Sequence, residues 1–524
     1  MYTDQRESKD VALGLKPENR YTPMNRSSGT RQARVCDARR VMGVGAMVLC
    51  TGLLTASALF SATPDLEHRI DALVDASGPA ARGFVGIHVV ELAGGKTVYQ
   101  RNQDKLFMPA SNMKLFTSAL ALLRLGPDYH FTTQVIREAS GDLVLVGSGD
   151  PSLCGRVFPY RKGAAPHPAL VAIEDLADQM VSSGLREVNG DIVGDDRLYP
   201  WVPYAPSWTQ DDAVREFGAP VSALTVNDNT VSLTIRGGIK AGDDAGITVD
   251  PAIEYYAIDN RLATIGHGNE PKIRMSRPAG ARQVLLWGSI PVGVAVTETV
   301  AIDDPAFYAA CALYDALSRR GVSIRGRPVA RHRLASEDYD PAAGTVLASR
   351  VSPPMTDLLQ VMDKVSQNLY AELMLREVGR HARHQGTREA GLDELDAMMH
   401  EIRAEKDDWR LEDGSGLSRN AMVTPRAFTR LLAAMHAGKY RDAWLSLLPV
   451  GGEDGTLSHR LCCPAGGTGI RAKTGSLSRA LALSGYADSK TRGRLAFSIL
   501  VNDFSAPSNE VRAWIDKIAM SLLE

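Results

Sequence analysis

Strong net charge and several common functional motifs are absent from this 524-residue sequence. The formal net charge is -2 at pH 7, so nothing in the charge balance indicates a nucleic-acid partner. The six cysteines include no C-x-x-C pair and no Cys/His spacing typical of zinc sites, and we expect no metal. No G-x-S-x-G segment occurs, which argues against an ordinary Ser-His-Asp hydrolase.

One long stretch lacks charge altogether. Val41 to Ala62 spans 22 uncharged residues, and Arg39 and Arg40 precede it directly. This pattern predicts an export signal or a single membrane anchor with its basic side in the cytoplasm, and the small residues "ASA" leave cleavage open. We therefore expect residues 1–40 to be a disordered tail. From residue 63 onward we expect the chain to lie outside the cytoplasm, in the periplasm or on the outer face of the cytoplasmic membrane.

The rest of the chain predicts an α/β protein whose catalytic domain is discontinuous. Two β-rich runs around "AGGK" indicate a hairpin near residue 90, and two more runs follow "KTGS" near the C-terminus. We expect these strands to share one sheet, with N- and C-terminal helices packed on it. Catalytic segments are predicted at 63–145 and 341–524. A β-rich insertion of one or two small domains is predicted at 146–340, and helices are expected again from about residue 345.

A serine and a lysine open the strongly apolar helix of "MPASNMKLFTSALALLRLG". Ser111 and Lys114 are three residues apart on its first turn, so their side chains share a face. The helix N-terminus favours developing negative charge at this point. A desolvated lysine beside a second cation falls in pKa and can accept the serine proton. The alternative without a catalytic role is that Ser111 caps the helix and Lys114 lies on the surface.

Two later segments supply the other parts that such a serine enzyme needs. Ser366 and Asn368 stand in "SQN" at the entrance of a long helix; a second S-x-N, "SRN" at 418–420, lies in a glycine-rich loop and is the less favoured copy. "RAKTGS" near the C-terminus presents Lys473 and Thr474, which can grip a carboxylate, and Gly475, which allows close approach of a substrate. The backbone amides of Ser111 and Ser476 can form an oxyanion hole.

A phosphate-loop interpretation of the same C-terminal stretch is weaker. "GTGIRAKT" has alanine at 472 where the motif needs its second glycine, and the preceding "LCCPAGG" is not a strand. The order S-x-x-K, S-x-N, K-T-G is instead the set of penicillin-binding proteins and β-lactamases.

With these residues in place, the sequence resembles the class C low-molecular-mass penicillin-binding proteins, the D-alanyl-D-alanine carboxypeptidases/endopeptidases of peptidase family S13. The resemblance spans roughly residues 83–520. Its motifs are "RNQDKLFMPASNMKLFTSALALLRLGPDYHF", "GSGDPSL", "GDIVGDDRLY", "GAPVSALTVNDN", "DKVSQNLYAELMLR", "DGSGLSRNAMVTP", "LPVGGEDGTL" and "RAKTGSLSRALALSGY". It implies the serine β-lactamase/penicillin-binding-protein-like transpeptidase fold, with inserted domains between the first two motifs.

The resemblance also implies a mechanism on stem peptides of peptidoglycan that end in D-Ala-D-Ala. Ser111 is then the nucleophile, Lys114 the base and Ser366 the proton relay. Substrate binding falls to Asn368 and to the K-T-G residues, Lys473, Thr474 and Gly475. β-Lactams are expected to acylate the same serine, no cofactor is expected, and residues 41–62, if uncleaved, would contact the membrane.

Two features depart from the usual family pattern, and two rivals remain. Gln367 stands where the family often has aspartate, and Ser476 replaces a common threonine. A β-lactamase or esterase on the same fold is the nearest alternative, although the Leu-Asn pair of the class A deacylation motif is absent. A non-catalytic cell-wall-binding protein is the other.

Overall fold

The computed structural model describes residues 65–75, 78–80, 82–278, 280–462 and 469–524. The α-helices of these residues are α1 Leu66–Asp75, α2 Lys114–Arg124, α3 Val171–Ser182, α4 Pro305–Arg319, α5 Met355–Lys364, α6 Asn368–Arg383, α7 Arg388–Glu401, α8 Pro425–Ala437, α9 Arg441–Leu447 and α10 Ser508–Ser521. The strands are β1 Phe84–Glu91, β2 Thr97–Arg101, β3 Thr132–Arg137, β4 Leu143–Val146, β5 Glu187–Val188, β6 Ile192–Asp195, β7 Thr230–Arg236, β8 Gly246–Asp250, β9 Ala257–Ile265, β10 Lys272–Ser276, β11 Gln283–Pro291, β12 Ala295–Ala301, β13 Ser323–Ile324, β14 Pro328–Arg331, β15 Thr345–Val351, β16 Trp409–Arg410, β17 Met422–Val423, β18 Ile470–Leu477, β19 Ala480–Ser489 and β20 Gly493–Asn502.

Strands from both ends of the chain form one five-stranded antiparallel sheet, in the order β18-β19-β20-β1-β2. Both of its faces are covered. Leu481 and Leu483 of β19 point into a core shared with α1 and α10, whereas the intervening Ala482 points into the core of α2, α6 and α8. Successive strand residues face opposite sides, so a strand covered on both faces is apolar throughout. The predicted fold is confirmed, because strands from two separate parts of the chain share one sheet and helices pack on it.

Helix α2 runs through the larger of these two cores. Its residues from Lys114 to Leu122 are all buried, which is the environment that an all-round apolar helix requires. A 3₁₀ turn, Ala110–Met113, leads into it. The catalytic serine predicted from the sequence therefore lies where a short turn enters a rigid, central helix.

A second five-stranded sheet has the order β14-β6-β4-β3-β15, and α3 and α4 share its apolar core. β15 occupies the first residues of the stretch for which the sequence predicts helix from about 345, and that prediction is wrong there. Pairing with β3 decides the conformation, and Pro353 and Pro354 delay the helix until α5.

This pairing also bears on the domain division. β3 and β15 lie outside the predicted insertion 146–340, yet both pair within the sheet that holds β6 and β14. We propose that the insertion runs from the start of β3 to the end of β15, and the domain boundaries stay a prediction. Small sheets of the order β10-β11-β9 and β12-β7-β8 complete this region.

The predicted tail and the export signal or anchor at 41–62 lie outside the described residues. Within the described ranges, every helix is too short or too polar to cross a bilayer.

Candidate active site

The 3₁₀ turn Ala110–Met113, called the nucleophile turn because Ser111 is the predicted nucleophile, places the first two predicted residues in contact. Ser111 belongs to the 3₁₀ turn, and Ala110 before it adopts a left-handed φ of 47°, which is uncommon for a residue other than glycine. In a 3₁₀ turn the side chains at positions i and i+3 eclipse each other. Nζ of Lys114 accordingly lies 3.0 Å from Oγ of Ser111.

Lys114 is fully buried and its amine has three neighbours within hydrogen-bond distance. Nζ lies 3.0 Å from Ser111 Oγ, 2.6 Å from Asn368 Oδ1 and 2.8 Å from the carbonyl oxygen of Ser415. A protonated amine uses its three N–H groups on these three acceptors. A neutral amine keeps two donors for Asn368 and Ser415 and presents its lone pair to the Ser111 hydroxyl.

Burial is the main cause that lowers the pKa of Lys114 well below its usual value, and the positive charge of Lys473 adds to it. The carboxylates of Asp413, Asp363 and Glu372 oppose this shift. The lowered pKa favours the neutral amine that a general base requires. The sequence predicts this shift, including the second cation that contributes to it.

The second motif lies between α5 and α6 and meets the third. Ser366 adopts a left-handed φ of 64°, and its Oγ accepts a hydrogen bond of 2.9 Å from Nζ of Lys473. The side chain of Gln367 has a structural role, because it caps α6 by accepting a hydrogen bond from the amide of Leu369. Glutamine at position 367, where the family often has aspartate, therefore does not disturb the contact between Ser366 and Lys473.

Asn368 is the first residue of α6 and connects two parts of the site. Its Oδ1 contacts Lys114, and its Nδ2 donates to the carbonyl oxygen of Phe217 at 2.7 Å. Ser366, Asn368 and Phe217 line a cavity of about 260 Å³. Ser111 and Lys473 are not among the residues that line this cavity.

The K-T-G residues lie on β18, at the edge of the first sheet. Lys473 is fully buried, and burial lowers the pKa of its amine while Asp363 opposes the shift. Oγ1 of Thr474 donates to Oγ1 of Thr456 at 2.8 Å. Gly475 approaches the nucleophile turn itself, since a Cβ there would lie 2.7 Å from the carbonyl oxygen of Pro109. The structure thus supplies a reason for this glycine other than the predicted approach of a substrate.

The hydrogen bonds of β18 indicate which way the backbone amide of Ser476, predicted for the oxyanion hole, points. The amide of Ala472 donates to the carbonyl oxygen of Pro449, on the side away from β19. Because backbone groups alternate sides along a strand, the amide of Ser476 also points away from β19. The side chain of Ser476 is exposed, and β18 contacts the nucleophile turn.

A loop over residues 413–418 completes the site, and the sequence assigned it no role beyond a second, less favoured S-x-N. Its Ser415 supplies the carbonyl acceptor for Lys114, and Glu372 Oε1 holds the loop by accepting from the amides of Gly414 and Ser415. Gly416 has a φ of 77°, and a Cβ there would lie 1.9 Å from the carbonyl oxygen of Ala110. The letters "DGSG" were the available signal for this loop.

Comparison with known proteins identifies relatives along nearly the whole chain. A sequence profile of the family described as "D-Ala-D-Ala carboxypeptidase 3 (S13) family" matches residues 66–522. A D-alanyl-D-alanine carboxypeptidase of Actinomadura sp. (strain R39) is 32% identical over 479 residues, which are 88% of this chain and 85% of the relative. The D-alanyl-D-alanine carboxypeptidase DacB of Haemophilus influenzae is 23% identical, over 80% of this chain and 86% of its own.

A solved structure shares the fold. The crystal structure of penicillin binding protein 4 (dacB) from Haemophilus influenzae superposes with a TM-score of 0.72 at 22% identity, and the match covers 86% of this chain and 98% of that chain. At this level of identity the likeness confirms the predicted fold.

Proposed function

The chain belongs to the D-Ala-D-Ala carboxypeptidase 3 (S13) family, and from this membership we propose that it hydrolyses the terminal D-Ala-D-Ala bond of peptidoglycan stem peptides through an acyl-enzyme on Ser111. The observation that carries the proposal is the surroundings of the Lys114 amine. It is buried, its pKa is lowered, and it lies 3.0 Å from the Ser111 hydroxyl. These are the conditions for a lysine that activates a serine.

Acylation begins when neutral Lys114 accepts the proton of Ser111 Oγ. Oγ attacks the carbonyl carbon of the penultimate D-Ala, and the amides of Ser111 and Ser476 receive the negative charge of its oxygen. Asn368 Oδ1 and the carbonyl oxygen of Ser415 keep the Lys114 amine in place during this transfer.

Expulsion of the terminal D-Ala requires a proton on its nitrogen. The proton that Lys114 took from Ser111 passes through the Ser366 hydroxyl to the leaving nitrogen, which returns Lys114 to its neutral form. Lys473 holds Ser366 for this relay by donating a hydrogen bond to its Oγ. Lys473 and Thr474 hold the terminal carboxylate, and Asn368 holds the peptide amide. Water then attacks the ester carbon while neutral Lys114 takes its proton. The bond between the acyl carbon and Ser111 Oγ breaks, Lys114 returns the proton to Oγ, and the shortened peptide leaves.

β-Lactams acylate Ser111 in the same way in this proposal, and no cofactor takes part. The action is extracytoplasmic, because peptidoglycan lies outside the cytoplasmic membrane, and residues 41–62 export or anchor the chain. A solved β-lactam complex of penicillin binding protein 4 from Haemophilus influenzae supports the fold on which this proposal rests. The structural match has a TM-score of 0.68 and covers 99% of that chain.

Mass analysis of peptidoglycan fragments tests the proposed reaction. Uncross-linked pentapeptide fragments should lose one D-alanine in the presence of the enzyme and remain intact with Ser111→Ala. Cross-linked dimers, assayed in parallel, measure endopeptidase activity separately. Loss of D-alanine at equal rates with both proteins would exclude Ser111 as the nucleophile.

A further inference from the structure

A large cavity with several aromatic side chains in its lining lies between the loop that follows β6 and the sheet of β9 to β11. Its volume is about 840 Å³, within the range of about 300–1,000 Å³ common for ligand sites. Trp201, Trp208 and Trp287 line it together with Tyr204, so that three of the six tryptophans of the chain face one space. The mechanism above uses none of these residues.

Polar groups are interspersed among the aromatic rings, and one of them is left without a partner. The Arg277 side chain is 2% exposed, and its Nη2 donates to the carbonyl oxygen of Ala213 at 3.0 Å. Its Nε is buried and has no hydrogen-bond partner among the described residues. A buried donor left unpaired is costly, so this part of the wall is polar and incompletely hydrogen-bonded among the described residues.

An exposed indole and a guanidinium lie side by side in the lining of the cavity. Trp287 of β11 is 37% exposed and pairs in register with Arg274 of the neighbouring β10. An aromatic face suits the C–H surface of a sugar ring, and guanidinium donors suit its hydroxyl and amide oxygens.

The charges of the cavity argue against a polyanion as its ligand. Arg215 forms an ion pair of 2.9 Å with Glu298, and Nη1 of Arg277 lies 4.0 Å from Asp303. Asp211 also lines the space. The cavity therefore offers balanced polar groups among aromatic rings, which fits a neutral polar ligand.

The wall of this cavity rests on the loop that holds the catalytic base. Nε1 of Trp208 donates to Asp413 Oδ2 at 2.9 Å, and Ser207 Oγ lies 2.6 Å from Ser418 Oγ. Between these two anchor points the same loop carries Ser415, whose carbonyl oxygen accepts from Lys114. A ligand in the cavity thus lies one loop away from the reacting serine.

We propose that this cavity binds the amino-sugar glycan strand of peptidoglycan. The inference rests on the proposed function, because a stem peptide held at Ser111 is covalently attached to such a strand. The strand places its ring faces on the tryptophans and its acetamido oxygens on the arginines. Glycan-linked peptides are therefore better substrates than free peptides of the same sequence.

Two measurements test whether the cavity binds the glycan strand. The first compares kcat/KM for one stem pentapeptide, free and attached to its GlcNAc–MurNAc disaccharide. The second titrates the peptide-free disaccharide by calorimetry, which reports on the cavity independently of catalysis. Trp287→Ala and Arg274→Ala remove exposed contacts without opening a core, and Phe84→Ala, an exposed aromatic on β1 outside the cavity lining, is the matched control.

The wild type and Phe84→Ala should prefer the glycan-linked peptide by about fivefold to tenfold, the range expected from one or two aromatic contacts. Trp287→Ala and Arg274→Ala should lose this preference and disaccharide binding, with unchanged activity on free peptide. Equal activity on both substrates in the wild type, or a preference that survives in both variants, would overturn the inference. Failure of the proposed function is a different result, namely no cleavage of either peptide with disaccharide binding retained.

Discussion

Oδ1 of Asn368 lies 2.6 Å from Nζ of Lys114, which joins the first residue of α6 to the first residue of α2. The sequence predicts Asn368 as a substrate ligand, and the structure gives it a second partner in Lys114, the predicted base. The S-x-N motif thus positions the predicted base in addition to its predicted role in substrate binding. The central claim is that Lys114, with its pKa lowered by burial and its amine held by Asn368 and Ser415, activates Ser111.

The charge of Lys473 should control the pH at which the enzyme becomes active. A neutral Lys114 is needed for acylation, so the rate rises with pH through the pKa of Lys114. Lys473 lowers that pKa through its positive charge. Lys473→Met should raise the pKa of Lys114 and move the ascending limb of the acylation rate to higher pH, measured with a β-lactam under single-turnover conditions.

Lys364→Met is the matched control for this shift. Lys364 is also a buried lysine near the site, where Nζ donates to Asp454 and to the carbonyl oxygen of Leu448, but its charge is not among those that shift Lys114. In Lys364→Met, the ascending limb of the acylation rate should lie at the same pH as in the wild type. An unmoved limb in Lys473→Met would show that Lys473 does not influence the base.

Close packing of the 413–418 loop under the nucleophile turn should be essential for the rate. A Cβ at Gly416 would lie 1.9 Å from the carbonyl oxygen of Ala110, which precedes Ser111. Gly416→Ala should displace the turn and lower the rate of acylation by about 100-fold or more, the cost of a misplacement near 1 Å.

Gly493→Ala separates this clash from backbone strain. Gly493 has a φ of 71°, close to the 77° of Gly416, but nothing lies within 4 Å of the position of its Cβ. Its replacement should lower the melting temperature while the acylation rate of the folded enzyme stays normal. Equal rate losses in both variants would mean that strain, and not contact with the turn, is responsible.

Asp150 should make the stability of the enzyme depend on pH. It is buried, Oδ1 accepts from the amide of Ser152, and Oδ2 has no partner among the described residues. Burial raises the pKa of Asp150 from 3.8 to about 6. Folding therefore favours the protonated form of Asp150. This contribution to the free energy of unfolding is complete below pH 3.8 and is lost as pH rises through about 6.

Asp150→Asn keeps the acceptor oxygen and removes the titration. The variant should be more stable than the wild type above pH 6, by at most about 3 kcal/mol for a shift of about two pKa units. The difference should vanish near pH 4. Thermal unfolding of both proteins across this range measures it, and a difference that does not change with pH would contradict the buried-charge explanation.

Much of the catalytic region could be predicted from the sequence because its signals are local. The apolar runs of β1, β19 and β20 indicate strands buried on both faces, and S-x-x-K at the start of an apolar helix fixes the relation of Ser111 to Lys114. β15 could not be predicted, since its conformation depends on the free edge of β3. Ser415 contributes its carbonyl oxygen, which every residue type carries, so its side-chain type did not indicate its contact with Lys114.

The site of acylation by penicillin is the most direct test of the central claim. A fluorescent penicillin should label the wild type, and mass analysis of the digested adduct should place the penicilloyl group on Ser111. Ser111→Ala should remain unlabelled, and Lys114→Met, which keeps the hydroxyl but removes the base, should acylate at least about 100-fold more slowly. Equal labelling of Ser111→Ala, or a wild-type rate in Lys114→Met, would contradict the account.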